Sequence, residues 1–207
     1  NTSGVMQTSK WIGGQYYVKA DGTMAISQLV DNNKYYVDAS GKWVKTTKWL
    51  TINGKWHYII SGKVQLSKWA NINNKWYYFD ASGVMQTSKW IGGIYYVNAD
   101  GTMAVSALVD GGKYYVGSDG KWTKSTKWLK LNDKWYYMIA GKIQQSKWVK
   151  INSKWYYFDA SGVMQTSKWI KGIYYVKADG TMAVSQWVDG GKYYVGADGK
   201  WIKGYKK

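Results

Sequence analysis

Short runs of aromatic and β-branched residues recur along the whole chain, each followed by a polar stretch ending in glycine. Trp76-Tyr77-Tyr78-Phe79 and Tyr95-Tyr96-Val97 typify the runs, and their composition is that of strands. Ala99-Asp100-Gly101, Ser118-Asp119-Gly120 and Ala178-Asp179-Gly180 typify the stretches that follow; Ile60-Ser61-Gly62 and Ile139-Ala140-Gly141 keep the glycine without the aspartate. This pattern predicts type I turns closed by a left-handed glycine, whose twist suits a β-hairpin. No segment sustains a helical period. A unit such as Trp69 to Lys89 reads as a short loop, an aromatic strand, a turn and a second strand. Strand alternation puts Trp76 and Tyr78 on one face, Tyr77 and Phe79 on the other.

The units are copies of one another. Asp80-Ala81-Ser82-Gly83-Val84-Met85-Gln86-Thr87-Ser88-Lys89-Trp90-Ile91 recurs from Asp159 to Ile170, and Trp11, Trp90 and Trp169 lie 79 residues apart. Within that period, units of about 20 residues open at Trp11, Leu29, Trp49, Trp69 and Trp90, then at Leu108, Trp128, Trp148, Trp169 and Trp187. The whole chain, 1–207, reads as a single repeat domain. Residues 1–10 are a partial unit, 11–89 and 90–168 two long repeats, and 169–207 a truncated third. One hairpin of this size cannot hold itself together. Ten in sequence can stack, each covering its neighbour, so the expected fold is all-β: a solenoid of stacked β-hairpins with an aromatic seam.

Composition sharpens this picture. The chain carries 15 Trp and 20 Tyr but 2 Phe, with no Pro and no Cys; its 29 basic residues are all Lys and its 12 acidic residues all Asp. The absence of cysteine excludes disulfides and thiolate metal sites. The net charge of +17 favours a polyanionic partner. No apolar run reaches the ~20 residues of a transmembrane helix, so membrane insertion is not expected. No signal peptide is visible, and the chain opens inside a repeat, as a fragment of a longer protein would.

Trp69, Lys75-Trp76-Tyr77-Tyr78-Phe79-Asp80 and Gly83-Val84-Met85 together resemble the cell-wall-binding repeat of choline-binding proteins, autolysins, phage lysins and the glucan-binding regions of glucansucrases. The resemblance extends over essentially every unit. It implies a superhelix of hairpins with ligands held between consecutive hairpins by aromatic side chains. In the choline-binding branch, two Trp of one hairpin and an aromatic of the next hold a quaternary ammonium, often with a Met, through cation–π attraction; in the glucan branch, aromatic faces stack on sugar rings. Carried onto this sequence, the Trp pairs are Trp49 with Trp56, Trp69 with Trp76, Trp128 with Trp135, and Trp148 with Trp155. By alternation the third walls are expected to be Tyr78, Tyr96, Tyr157 and Tyr175. In the remaining units the second Trp is replaced by Gln15, Ile94 and Ile173, or by Lys34, Lys113 and Lys192.

One departure from the family pattern bears on the ligand. Lysine precedes the opening Trp at Lys48, Lys68, Lys127 and Lys147, and precedes the strand aromatics at Lys55, Lys75, Lys134 and Lys154. An ammonium beside each cage should repel a quaternary ammonium and attract phosphate. The expected function is therefore non-catalytic attachment of a secreted bacterial protein to an anionic surface polymer such as (lipo)teichoic acid, at the cell wall. The alternatives are an α-glucan or exopolysaccharide module, a choline-binding module, or an adhesin repeat contacting host glycans. Nucleic acid is not the expected partner, because the resemblance points outside the cell. Homodimerisation through an open terminal strand edge is an accessible state. No enzymatic constellation is present: the aspartates recur in equivalent turns (Asp21, Asp100 and Asp179; Asp31, Asp110 and Asp189), and the single His57 has no partner base or metal ligand nearby in sequence. No cofactor and no metal are expected. Met6, Met24, Met85, Met103, Met164 and Met182 follow the turn glycines and suit gap-filling in the seam, with some in reach of ligand.

Overall fold

The computed structural model describes residues 4–206, and these form hairpins and no helix. Two compact units divide the chain, the first running to Ala104 and the second beginning at Val105. The first contains five hairpins: β1 (Lys10–Ile12) with β2 (Tyr16–Val18), β3 (Gln28–Val30) with β4 (Tyr35–Val37), β5 (Lys48–Ile52) with β6 (Lys55–Ile60) and a short β7 (Lys63–Val64), β8 (Lys68–Ile72) with β9 (Lys75–Phe79), and β10 (Lys89–Ile91) with β11 (Tyr95–Val97). The second unit contains β12 (Ala107–Val109) with β13 (Tyr114–Val116), β14 (Lys127–Leu131) with β15 (Lys134–Ile139) and β16 (Lys142–Ile143), β17 (Lys147–Ile151) with β18 (Lys154–Phe158), β19 (Lys168–Ile170) with β20 (Tyr174–Val176), and β21 (Gln186–Val188) with β22 (Tyr193–Val195). Within each unit the architecture is the expected stack of β-hairpins.

The hairpin itself is placed differently from the sequence expectation. The segment read as a loop, opening at Trp69, is the first strand, and it pairs with the aromatic strand through Trp69↔Tyr78 and Asn71↔Trp76. The link between them is the pair Asn73-Asn74, at φ of 51° and 63°. A two-residue loop with both residues left-handed twists in the sense the strands require, which is why asparagine occupies it. The glycine turn comes after the second strand. Its geometry is as expected: Gly83 N–H donates to Asp80 O at 2.9 Å and Gly83 has φ of 76°. Beyond it the chain makes a single bridge, Phe79↔Met85, not a full second strand.

Register gives each hairpin two unlike faces. In β8–β9 the forward face carries Trp69, Trp76 and Tyr78; the backward face carries Ala70, Ile72, Tyr77 and Phe79. The backward face is the core. Ala70, Ile72 and the fully buried Phe79 pack against Trp49 and Tyr58 of the preceding hairpin. The second unit repeats this with Val149, Ile151 and Phe158 against Trp128 and Tyr137. The core is thus a row of small clusters, one per junction, and each hairpin depends on its neighbour for cover.

The sole histidine belongs to this core. His57 is 4% exposed and its Nδ1 has no hydrogen-bond partner; one long repeat later its place is taken by the buried Tyr136. Burial is the largest influence on its pKa and holds it below the ordinary 6.5. The unfolded chain therefore takes up the proton first. Stability on this account is complete above the unfolded pKa and falls as pH drops through it. The expected outcome is that urea unfolding at about pH 5.5 shows a larger loss, relative to about pH 7.5, for the wild type than for His57→Tyr. Equal losses in the two proteins would assign the acid sensitivity elsewhere.

Candidate functional site

Junctions within each unit are tied by one recurring backbone bond. The residue after the glycine turn donates its N–H to the carbonyl at the second-Trp position of the preceding hairpin: Met85 to Trp56, Met103 to Trp76, Met164 to Trp135 and Met182 to Trp155, all at 2.8 Å. The side chain of that donor decides what the junction becomes.

Where it is methionine, an open cage forms. Trp49 and Trp56 stand at 89° with ring centroids 6.1 Å apart, and Tyr77 of the next hairpin meets Trp49 at 5.0 Å. Met85 and Asp100 complete a cavity of about 290 Å³. In the second unit Trp128, Trp135, Tyr156, Met164 and Asp179 line a cavity of about 250 Å³, and Trp148, Trp155, Tyr174, Met182 and Asp198 one of about 240 Å³. The fourth Trp pair has the same start: Trp69 meets Tyr95 at 5.4 Å. The second tryptophans, Trp56, Trp76, Trp135 and Trp155, are 40–49% exposed, whereas the first tryptophans are half-buried in the seam. Each pair thus leaves one indole exposed at the junction while the other packs in the seam.

Where the donor is tryptophan, the junction closes. Trp43 donates to Gln15 O, and Trp201 to Ile173 O. Trp11, Tyr35 and Trp43 touch one another in all three pairings, at 5.2–5.7 Å; Trp169, Tyr193 and Trp201 do the same at 5.5–6.2 Å. The lost second Trp is thus replaced from the far side, by a Trp that meets both the first Trp and the Tyr. Where the donor is Val64 or Ile143, bonded to Lys34 O and Lys113 O, the junction is plain core, with Leu108 and Tyr115 packed on Tyr136 and Ile143.

The structure brings together all four Trp pairs with the following hairpin but corrects the third wall. Tyr78, Tyr96, Tyr157 and Tyr175 lie on the forward faces of their own hairpins, against Trp69, Trp90, Trp148 and Trp169 at 5.3–5.4 Å. Tyr77, Tyr95, Tyr156 and Tyr174 form the walls instead. A cage faces the backward surface of the next hairpin, and the first tyrosine of each pair points that way.

The lysines are also redistributed. Lys48, Lys55, Lys68, Lys75, Lys127, Lys134, Lys147 and Lys154 are all exposed. By register each lies on the face opposite its own hairpin's Trp pair, as in Lys68↔Phe79 and Ile72↔Lys75. The ammonium near the Trp49–Trp56 cage is therefore Lys75 of the next hairpin, which helps hold the Asp100 carboxyl below its ordinary pKa; the first cause is the Thr102 hydroxyl bonded to it at 2.6 Å. Sequence reasoning missed the aspartates. Each reaches its cage from the turn two hairpins further along, a distance no local pattern reveals.

Comparison with known proteins agrees with this geometry. The choline-binding repeat matches residues 5–43, 84–122 and 163–201, and the putative cell wall binding repeat matches 47–59, 67–85, 126–138 and 146–164. The choline-binding domain of CbpL from Streptococcus pneumoniae superposes with a TM-score of 0.54 at 29% identity, over 97% of this chain and all of that one. Choline binding protein F of the same organism, solved with a peptidoglycan analogue, gives 0.52 at 28% identity over 94% of this chain and 78% of its own. Glucosyltransferase-S of Streptococcus mutans serotype c is 30% identical over 136 residues, 64% of this chain; the match spans only 8% of that relative. With three cages of shared construction and family matches along most of its length, this chain belongs to the choline-binding repeat family of cell-wall-binding modules.

Proposed function

We propose that this chain is the non-catalytic wall-attachment part of a secreted bacterial protein, and that its cages hold the cationic headgroups of a choline-bearing anionic polymer such as a (lipo)teichoic acid. The observation carrying this reading is the cage lining: two indoles, a tyrosine ring, a thioether and a carboxylate around 240–290 Å³. Aromatic faces attract a cation, methionine supplies apolar contact, and the volume suits a small headgroup, not a long ligand. The lysine expectation is retained in altered form. Lys75 and Lys154 stand beside the cages, where they can meet polymer phosphates flanking a bound headgroup. Several weak sites along one chain give avidity on a repeating polymer.

Two outcomes test this. Trp56→Ala, Trp135→Ala and Trp155→Ala each remove an exposed wall, so each should abolish one site in a choline titration followed by tryptophan fluorescence. Each should cost less than about 1 kcal/mol of stability. Retention on choline-bearing walls should fall steeply in the triple variant and be lost when Trp76→Ala is added, and unchanged retention would remove the cages from the binding surface. Separately, Lys75→Gln with Lys154→Gln should flatten the salt dependence of binding to intact teichoic acid, because the screened attraction is then gone. Free choline should bind this variant no less tightly than the wild type.

A further inference from the structure

Resting on that reading, we infer that Asp100, Asp179 and Asp198 are the residues that set the charge selectivity of the cages, and that Asp100 does so most strongly. Each lines one cage. Each arrives from the second hairpin beyond the Trp pair and adds the one fixed negative charge to an otherwise uncharged lining. An aromatic cage without a carboxylate accepts a neutral tert-butyl group on apolar contact alone. A carboxylate beside it adds an attraction that only the cation feels.

The three carboxylates are built alike but compensated differently. Oδ1 of Asp100 accepts from Thr102 N–H and Thr102 Oγ1 at 2.9 and 2.6 Å, and Oδ1 of Asp179 from the same groups of Thr181 at 3.0 and 2.6 Å. Oδ1 of Asp198 accepts from Lys200 N–H at 3.0 Å. These bonds hold the carboxylates in place, and the pKa of each lies below the ordinary value. Oδ2 differs. In Asp179 it lies 3.7 Å from Lys177 Nζ, and in Asp198 3.3 Å from Lys200 Nζ. Asp100 has no ion pair among the described residues, because Asn98 occupies the position of Lys177. Lys154 stands near Asp179 as its equivalent Lys75 stands near Asp100, so the ion pair with Lys177 is what separates the two. The Asp100 cage is the most negative of the three and the Asp179 cage the least.

The experiment compares choline with its uncharged isostere 3,3-dimethylbutan-1-ol, titrated into the full chain. Asp100→Asn keeps the oxygen that Thr102 bonds and removes the charge. In the triple variant Asp100→Asn, Asp179→Asn, Asp198→Asn, choline affinity should fall about fivefold while the isostere is unaffected. Asp100→Asn alone should account for more of that loss than Asp179→Asn alone. Conversely, Lys177→Asn recreates the Asn98 arrangement beside Asp179 and should raise choline affinity about twofold, again leaving the isostere unaffected. If choline and the isostere weaken together, or neither changes, the aspartates are turn residues only and the inference is overturned while the cage reading stands. Failure of the wild type to bind either compound overturns both.

Discussion

One backbone hydrogen bond recurs at the junctions within each unit of this protein: the amide after a glycine turn donates to a carbonyl of the hairpin before. The bond places one side chain directly beside the second-Trp position of that preceding hairpin. Methionine there leaves space between Trp56 and Tyr77, or between Trp135 and Tyr156. Tryptophan there fills the space, and does so where Gln15 or Ile173 has vacated it. Valine or isoleucine turns the junction into core. One position therefore switches a junction between open, plugged and buried while the backbone arrangement stays the same.

The glycine before this donor is part of the same device. Gly101 sits at φ of 83°, and a Cβ there would stand 2.5 Å from the Met85 sulfur. Gly180 has the same relation to Met164. The left-handed conformation already favours glycine; the close approach of the thioether adds a second reason. The turn thus closes on the methionine of the preceding turn while presenting its own aspartate to the same cage, so that Asp100 and Gly101, two adjacent residues, contribute to its electrostatics and its packing.

Much of this was legible in the sequence because it is local. The 79-residue period, the hairpin content and the four Trp pairs all follow from residues within one unit. The correct hairpin boundaries were also written there, in Asn73-Asn74 and Asn53-Gly54, whose left-handed preference marks a two-residue loop. The cage walls were not legible in the same way. Choosing Tyr77 over Tyr78 requires knowing that a hairpin meets its predecessor with one face and its successor with the other, and alternation within one strand cannot say which. The aspartates are harder still, since Asp100 reaches Trp49 only through the stacking of two intervening junctions. The lysines misled for a related reason: Lys55 is adjacent to Trp56 along the chain but on the opposite side of the strand.

A cage assembled from three successive hairpins overlaps its neighbours like roof tiles. The hairpin β10–β11 and its turn give Asp100 to one cage while Tyr95 and Met103 serve the Trp69–Trp76 pair. Adding or removing a single hairpin re-pairs a donor with a different acceptor, and the pairing stays matched only where neighbouring junctions are alike, as at Met85 on Trp56 and Met103 on Trp76. Copying a whole block of 79 residues keeps the order of donors and acceptors, so a block of four hairpins adds open, plugged and buried junctions together, whereas copying one hairpin of a Trp pair adds an open junction alone.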